Sequence, residues 1–176
     1  MTSLRHLAIG FVLLTVVVGA ALWQATGDNF PAVLAGMANS YKGIQFNLAP
    51  LFEANWVIQI HVAAAMSALV LGAVQLAAPK GTLPHRTLGY VWAVLMVTTA
   101  ISAIFIREIN GGDFSFIHIF VPLTLLGLVG VIANARKMKT EKHRNAVLGL
   151  FFGALLLPGL FAFMPGRLMW QIVFSG

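Results

Sequence analysis

Five apolar stretches decide what this chain can become. They run approximately over residues 7–25, 56–78, 84–106, 114–135 and 143–164. Their only Asp, Glu, Lys or Arg residues are Arg86 and Arg144, each in the first turn of its segment. At about 1.5 Å per helical residue, each stretch is long enough to cross roughly 30 Å of hydrocarbon. Backbone inside lipid must satisfy its own hydrogen bonds, and an isolated apolar segment does so only as a helix. The expected fold class is therefore all-α: an integral membrane protein with five transmembrane helices. Composition agrees. The chain is 59% hydrophobic and 9% charged, with a mean hydropathy of +0.89, whereas about a quarter of the residues in a soluble domain are charged.

The segments divide the chain into residues 1–26 as a first transmembrane helix, 27–55 as an outer, periplasmic loop, 56–165 as a four-helix transmembrane bundle and 166–176 as an interfacial tail. Three short breaks, Pro79 to Leu83, Arg107 to Asp113 and Arg136 to Lys142, make consecutive bundle helices antiparallel neighbours. Basic residues set the orientation. Arg5, Lys80, Arg86, Arg136, Lys137, Lys139, Lys142 and Arg144 fall on one side, and Lys42, Arg107 and Arg167 on the other. The richer side is expected to be cytoplasmic, in a bacterial plasma membrane, with the N-terminus inside and the C-terminus in the periplasm. Arg5 and the small Gly19-Ala20 pair also fit a signal peptide, but the first segment is read as a retained transmembrane helix. In the loop, Val33, Leu34, Met37 and Tyr41 recur at helical spacing, so Pro31 to Tyr41 is either a short interfacial helix or an irregular stretch. The tail from Arg167 to Phe174 is too short to span and, with Trp170, reads as an interfacial anchor.

The chain has no cysteine, which excludes disulfides, thiolate metal sites and iron–sulfur clusters. Its net charge of +6 sits at helix ends, where lipid phosphate and topology account for it. No nucleic-acid partner is expected.

Four of the five histidines stand near the starts of the last four helices. His61 and His85 are 24 residues apart, and His118 and His143 are 25 apart. Each interval is about one membrane crossing, so His61 and His118 share the outer side and His85 and His143 the inner. The second and third helices resemble the fourth and fifth as a unit, each unit running from His to a His-Arg pair and then Leu-Gly (Leu88-Gly89 and Leu148-Gly149). Two tandem hairpins imply a pseudo-twofold axis along the membrane normal, which brings equivalent residues face to face. A lone histidine near a helix end is accounted for as an amphipathic interfacial group. His61 and His118, however, lie four to six residues inside apolar sequence, where an ionisable group needs a partner. Facing imidazoles inside a helix bundle are what a haem iron takes as axial ligands. His61, His118, His85 and His143 are therefore the candidate metal ligands, for two haem b groups on the order of 20–25 Å apart along the normal. If only one haem is held, it belongs between His61 and His118.

The neighbouring residues are compatible with a flat cofactor. Ala64, Ala65, Ala68, Gly72 and Gln75 follow His61 on one helical face, and the stripe serves close helix packing equally well. Pro122 lies four residues after His118 and removes a hydrogen bond to its carbonyl. Arg86 and Arg144 adjoin the inner pair as candidate haem-propionate ligands, with lipid anchoring as the alternative. The outer pair has no equally placed base; Arg107, Arg167 and Lys42 are the nearest. Zinc or copper fits less well, because two histidines per side fall short of the three or four ligands such an ion needs.

The run from His61 to His143, with its two His-Arg helix starts, resembles the bacterial membrane proteins grouped as domain of unknown function 2306, over roughly residues 55–165. The histidine layout also resembles the cytochrome b-561 superfamily. That likeness implies four consecutive helices holding two haem b groups, with His61 and His118 ligating the outer haem and His85 and His143 the inner. It also implies electron transfer across a membrane from ascorbate or a similar one-electron donor. The chain departs from that pattern in having five expected spans against six in the eukaryotic members, and in lacking their basic ascorbate motifs.

The leading expectation is thus a b-type cytochrome that relays electrons across the bilayer, an oxidoreductase in the electron-transfer sense. Its donor would be a quinol or another one-electron reductant, within a membrane complex or homo-oligomer. Two other classes stay open: a non-redox membrane subunit or scaffold, and a small transporter or proton relay using the same histidines.

Overall fold

The computed structural model of the chain describes residues 30–41, 43–107 and 112–174. Every element among them is helical. The expected first span, 7–25, lies outside the described residues, as does Lys42. The chain divides into two compact units, one of residues Met1–Asn47 with Met164–Gly176, the other of Leu48–Phe163.

In the first unit, α1 (Phe30–Ser40) forms where helical spacing had suggested an interfacial helix. The tail contributes α8 (Leu168–Phe174). The stretch after α1 bonds to the end of α8: Gln45 N–H donates to Val173 O (2.8 Å) and Asn47 N–H to Ile172 O (2.9 Å). Tyr41 and Trp170 both pack on the Phe174 ring, with centroids 5.9 and 4.7 Å away.

The second unit opens with the short α2 (Ala49–Glu53) and then holds four helices long and apolar enough to cross a membrane: Trp56–Ala77, Leu83–Phe105, Phe116–Arg136 and Thr140–Ala162. The first is α3. Asn55 caps it by accepting from Val57 N–H (3.0 Å), which satisfies one of the donors a helix start leaves unpaired. The second is α4 (Leu83–Phe105), entered through Gly81 at φ +78 and capped by Thr82, whose hydroxyl accepts from His85 N–H (3.3 Å). The third begins as a 3₁₀ turn (Phe116–Ile119) and continues as α5 (Phe120–Arg136). Pro122 falls in the first turn of α5, where its missing N–H removes no intrahelical bond.

The fourth helix starts earlier than the hydropathy suggests, at Thr140. It comprises α6 (Thr140–Leu148), a π-helical stretch (Gly149–Leu156) and α7 (Leu157–Ala162). Gly149 and Gly153 ease the wider winding, and Pro158 cannot supply the amide that an α-helix would direct at Ala154 O.

Packing follows chain order. α3 lies against α4, α4 against α5, α5 against α6 and the π-helical stretch, and that stretch against α3. The ring places the first and third spans across the core from one another, and likewise the second and fourth. Mid-core is filled by Ala68, Trp92, Met96, Leu128, Leu150, Phe151 and Leu155. Trp92 is tied there because its indole N–H donates to Ala68 O (3.0 Å) across the α3–α4 contact. In lipid the helices gain little from hydrophobicity against each other, so such bonds and close packing carry the association. The large apolar side chains left exposed, among them Val70, Val74, Val94, Leu126 and Val129, then face hydrocarbon.

Candidate functional site

The small-residue face of α3 is buried at Ala64, Ala68, Gly72 and Gln75, with Ala65 half-buried. Its central part is occupied by protein. A Cβ on Gly72 would lie 2.7 Å from Phe151 Cδ2 and 2.8 Å from Trp92 Nε1. Between Ala68 and Gly72 the stripe therefore serves close packing, and a flat ligand has room for consideration only toward the two ends. The residues at those ends are the histidines.

At one end, His61 reaches across to α4. Its Nδ1 lies 3.0 Å from Thr99 O and 3.0 Å from Ser102 Oγ. Ser102 donates its own proton to Thr98 O at 2.7 Å. A carbonyl only accepts, so the His61 proton is assigned to Nδ1, and Nε2 keeps a lone pair. A metal-ligating imidazole is commonly oriented this way, with its second nitrogen donating to a backbone carbonyl. His118 stands at the same end, on the 3₁₀ turn opposite α3 in the ring. Its Nδ1 accepts from Ser115 N–H (3.0 Å) as half of a capping box, which puts the ring proton on Nε2, and that Nε2 is buried with no hydrogen-bond partner. Ligation through Nε2 requires the proton to move to Nδ1, where Ser115 O (3.1 Å) would accept it. A buried polar atom left unpaired costs about 1–3 kcal/mol, so it calls for an explanation. No hydrogen bond or ring contact joins His61 directly to His118.

At the other end, His143 Nδ1 lies 3.0 Å from Val131 O, which again places the proton on Nδ1 and leaves Nε2 its lone pair. His85 stands at the same end, on the span across the core. Its Nδ1 is buried and unpartnered. The carbonyl of His85 accepts from the buried Gln75 side chain (2.9 Å), so α3 fixes where α4 starts. Sequence reasoning placed Gln75 on the right face and missed this use of it. His85 and Thr99 are fourteen residues apart on α4, about 21 Å along the axis. Trp92 stands midway.

Arg86 is exposed on the first turn of α4, and Arg144 is exposed on the second turn of α6, since that helix starts at Thr140. At the His61 end, Arg107 is more firmly placed, with its guanidinium over the Phe114 ring, 4.4 Å from the centroid. Phe114 in turn meets the His118 ring edge-on, 4.9 Å between centroids. Arg167 belongs to the other unit. Among the described residues there is no group of three or more His, Cys, Asp or Glu side chains able to hold a metal ion. A bis-histidine haem asks for two protein ligands only.

No curated protein and no solved structure matches the chain. Residues 58–171 match the family model described as a predicted membrane protein, DUF2306. That match spans all four helices and every histidine discussed above, and by it this integral membrane chain belongs to the DUF2306 family.

Proposed function

We propose that the four-span unit is a membrane b-type cytochrome holding one haem between His61 and His118 and a second between His85 and His143. The observation that carries this reading is the state of the imidazoles. Two of the four histidines stand at each end of one bundle. His61 and His143 direct Nδ1 at a backbone carbonyl, leaving Nε2 with a lone pair, and His118 Nε2 and His85 Nδ1 are buried without partners. Such nitrogens are expensive in a membrane interior unless something occupies them.

When bound, haem supplies the one-electron chemistry; the chain supplies the surroundings. Thr99 O and Val131 O hold the imidazole tautomers and ring planes. Gln75 anchors the start of α4, and with it His85. The Trp92–Phe151 layer excludes water between the two ends. Exposed apolar side chains keep the bundle in hydrocarbon, and the basic residues around Lys80 and Lys137 to Arg144 orient that end to the cytoplasm of a bacterial cell. With the sites on opposite sides, the bundle would relay electrons across the bilayer from a quinol or a similar one-electron donor. The likeness to the cytochrome b-561 superfamily supports this through histidine placement alone.

The test is the absorption spectrum of full-length protein purified from haem-replete membranes. A Soret band, with the split visible bands of low-spin b-type haem on reduction, is expected. A folded, colourless protein would overturn the proposal and favour a scaffold. Proton or solute flux in liposomes without haem would favour a transporter.

A further inference from the structure

The outer end contains a stack that the proposed ligands do not use. Arg107 follows the end of α4, and its carbonyl accepts from Gly112 N–H (3.2 Å), a bond that brings the chain back beside it. Phe114 then lies under the guanidinium, with Cζ 4.4 Å from the ring centroid, and the same ring meets His118 at 88° and 4.9 Å. The guanidinium is thus no more than about 9 Å from the His118 ring. Its Nε donates to Ile104 O (3.3 Å). Among the described residues no carboxylate takes its terminal nitrogens. An arginine laid on an aromatic face is held by the ring quadrupole and keeps its planar fork open at the edge.

Resting on the haem reading above, we infer that Arg107 binds a carboxylate of the ligand seated at His118, namely a propionate of the outer haem. Three observations converge on it. The cation is placed by packing on Phe114. It is one aromatic ring away from an axial candidate, and the carboxylates of a porphyrin project from its edge. A guanidinium fork also matches a carboxylate with two parallel hydrogen bonds. The sequence put its arginine–propionate pairs at the inner end, on Arg86 and Arg144; the contacts make the outer end the better-built site.

The experiment compares haem b with its dimethyl ester, in which both carboxylates are capped. Each is titrated by Soret absorbance into full-length, haem-free protein in detergent, on a His85→Ala background so that only the His61–His118 site remains. Wild-type Arg107 is expected to bind haem b about tenfold to a hundredfold more tightly than the ester. Arg107→Gln should lose that preference, and Arg107→Lys should keep part of it. Equal affinity for acid and ester with Arg107 present overturns the inference and leaves the haem reading intact. So does a preference that survives in Arg107→Gln. Binding of neither porphyrin overturns the haem reading, and this inference with it. The ester comparison needs no Arg107 variant, so it decides the matter even if Arg107→Gln does not fold.

Discussion

Replacing Gly72 by Ala tests the packing at the middle of the bundle, and Gly130→Ala provides its control. Both glycines are interior to long helices, α3 and α5. Both substitutions therefore gain the same helix propensity, about 1 kcal/mol. They differ in what the new methyl meets. At Gly130 nothing lies within 4 Å, whereas at Gly72 the Cβ would stand 2.7 and 2.8 Å from two Phe151 ring carbons and 2.8 Å from Trp92 Nε1. Neither ring yields easily. Trp92 is held by its bond to Ala68 O, and both rings lie in the buried cluster. Overpacking of this kind costs roughly 1–3 kcal/mol. Gly130→Ala should be neutral or up to about 1 kcal/mol stabilising. Gly72→Ala should fall about 1–3 kcal/mol below it, since the propensity gain cancels between the two. Reversible unfolding in mixed detergent and dodecyl sulfate, followed by far-UV circular dichroism, reads the difference. Equal stabilities, or a more stable Gly72→Ala, would refute the close approach of α3 to Trp92 and Phe151. The stripe would then be free along its whole length.

His61→Ala should remove one haem and leave the other, read as half the Soret absorbance per protein; loss of both, or of neither, would contradict two independent sites. Gln75→Leu should destabilise the bundle by about 0.6 kcal/mol, and by no more than about 1.7, the range for interhelical hydrogen bonds in membranes; no change would mean that the bond to His85 O does not anchor α4. The chain has no native cysteine, so single cysteines report topology cleanly. Lys139→Cys should react with an impermeant maleimide only from the cytoplasmic side and Asp113→Cys only from the periplasmic side, and the reverse pattern would invert the orientation.

The four described spans were legible because each is a long apolar signal that no other structure satisfies in lipid. Their ends were less so. The fourth begins at Thr140 because a polar first turn, with Glu141 and Lys142, winds into the helix without any hydropathy to mark it. The π-helical stretch left only Gly149, Gly153 and Pro158 as hints, since a one-residue change in winding does not alter which residues are apolar. The buried face of α3 was legible at Ala64, Ala68, Gly72 and Gln75, with Ala65 only half-buried. Its filling was not, because Trp92 and Phe151 come from other helices. The histidines announced themselves by position, but the atoms that orient them, Thr99 O and Val131 O, are backbone and carry no side-chain signature. Arg107 gained its place through Phe114, seven residues away across a turn, where sequence spacing has no period to follow.

The central claim is that this bundle is built around two haem groups, and haem stoichiometry tests it most directly. Protein purified in detergent from haem-supplemented cells should yield two b-type haems per chain by the pyridine haemochrome assay, falling to one in His61→Ala and one in His143→Ala. Folded wild-type protein carrying no haem, and taking none up when it is added, would contradict the account.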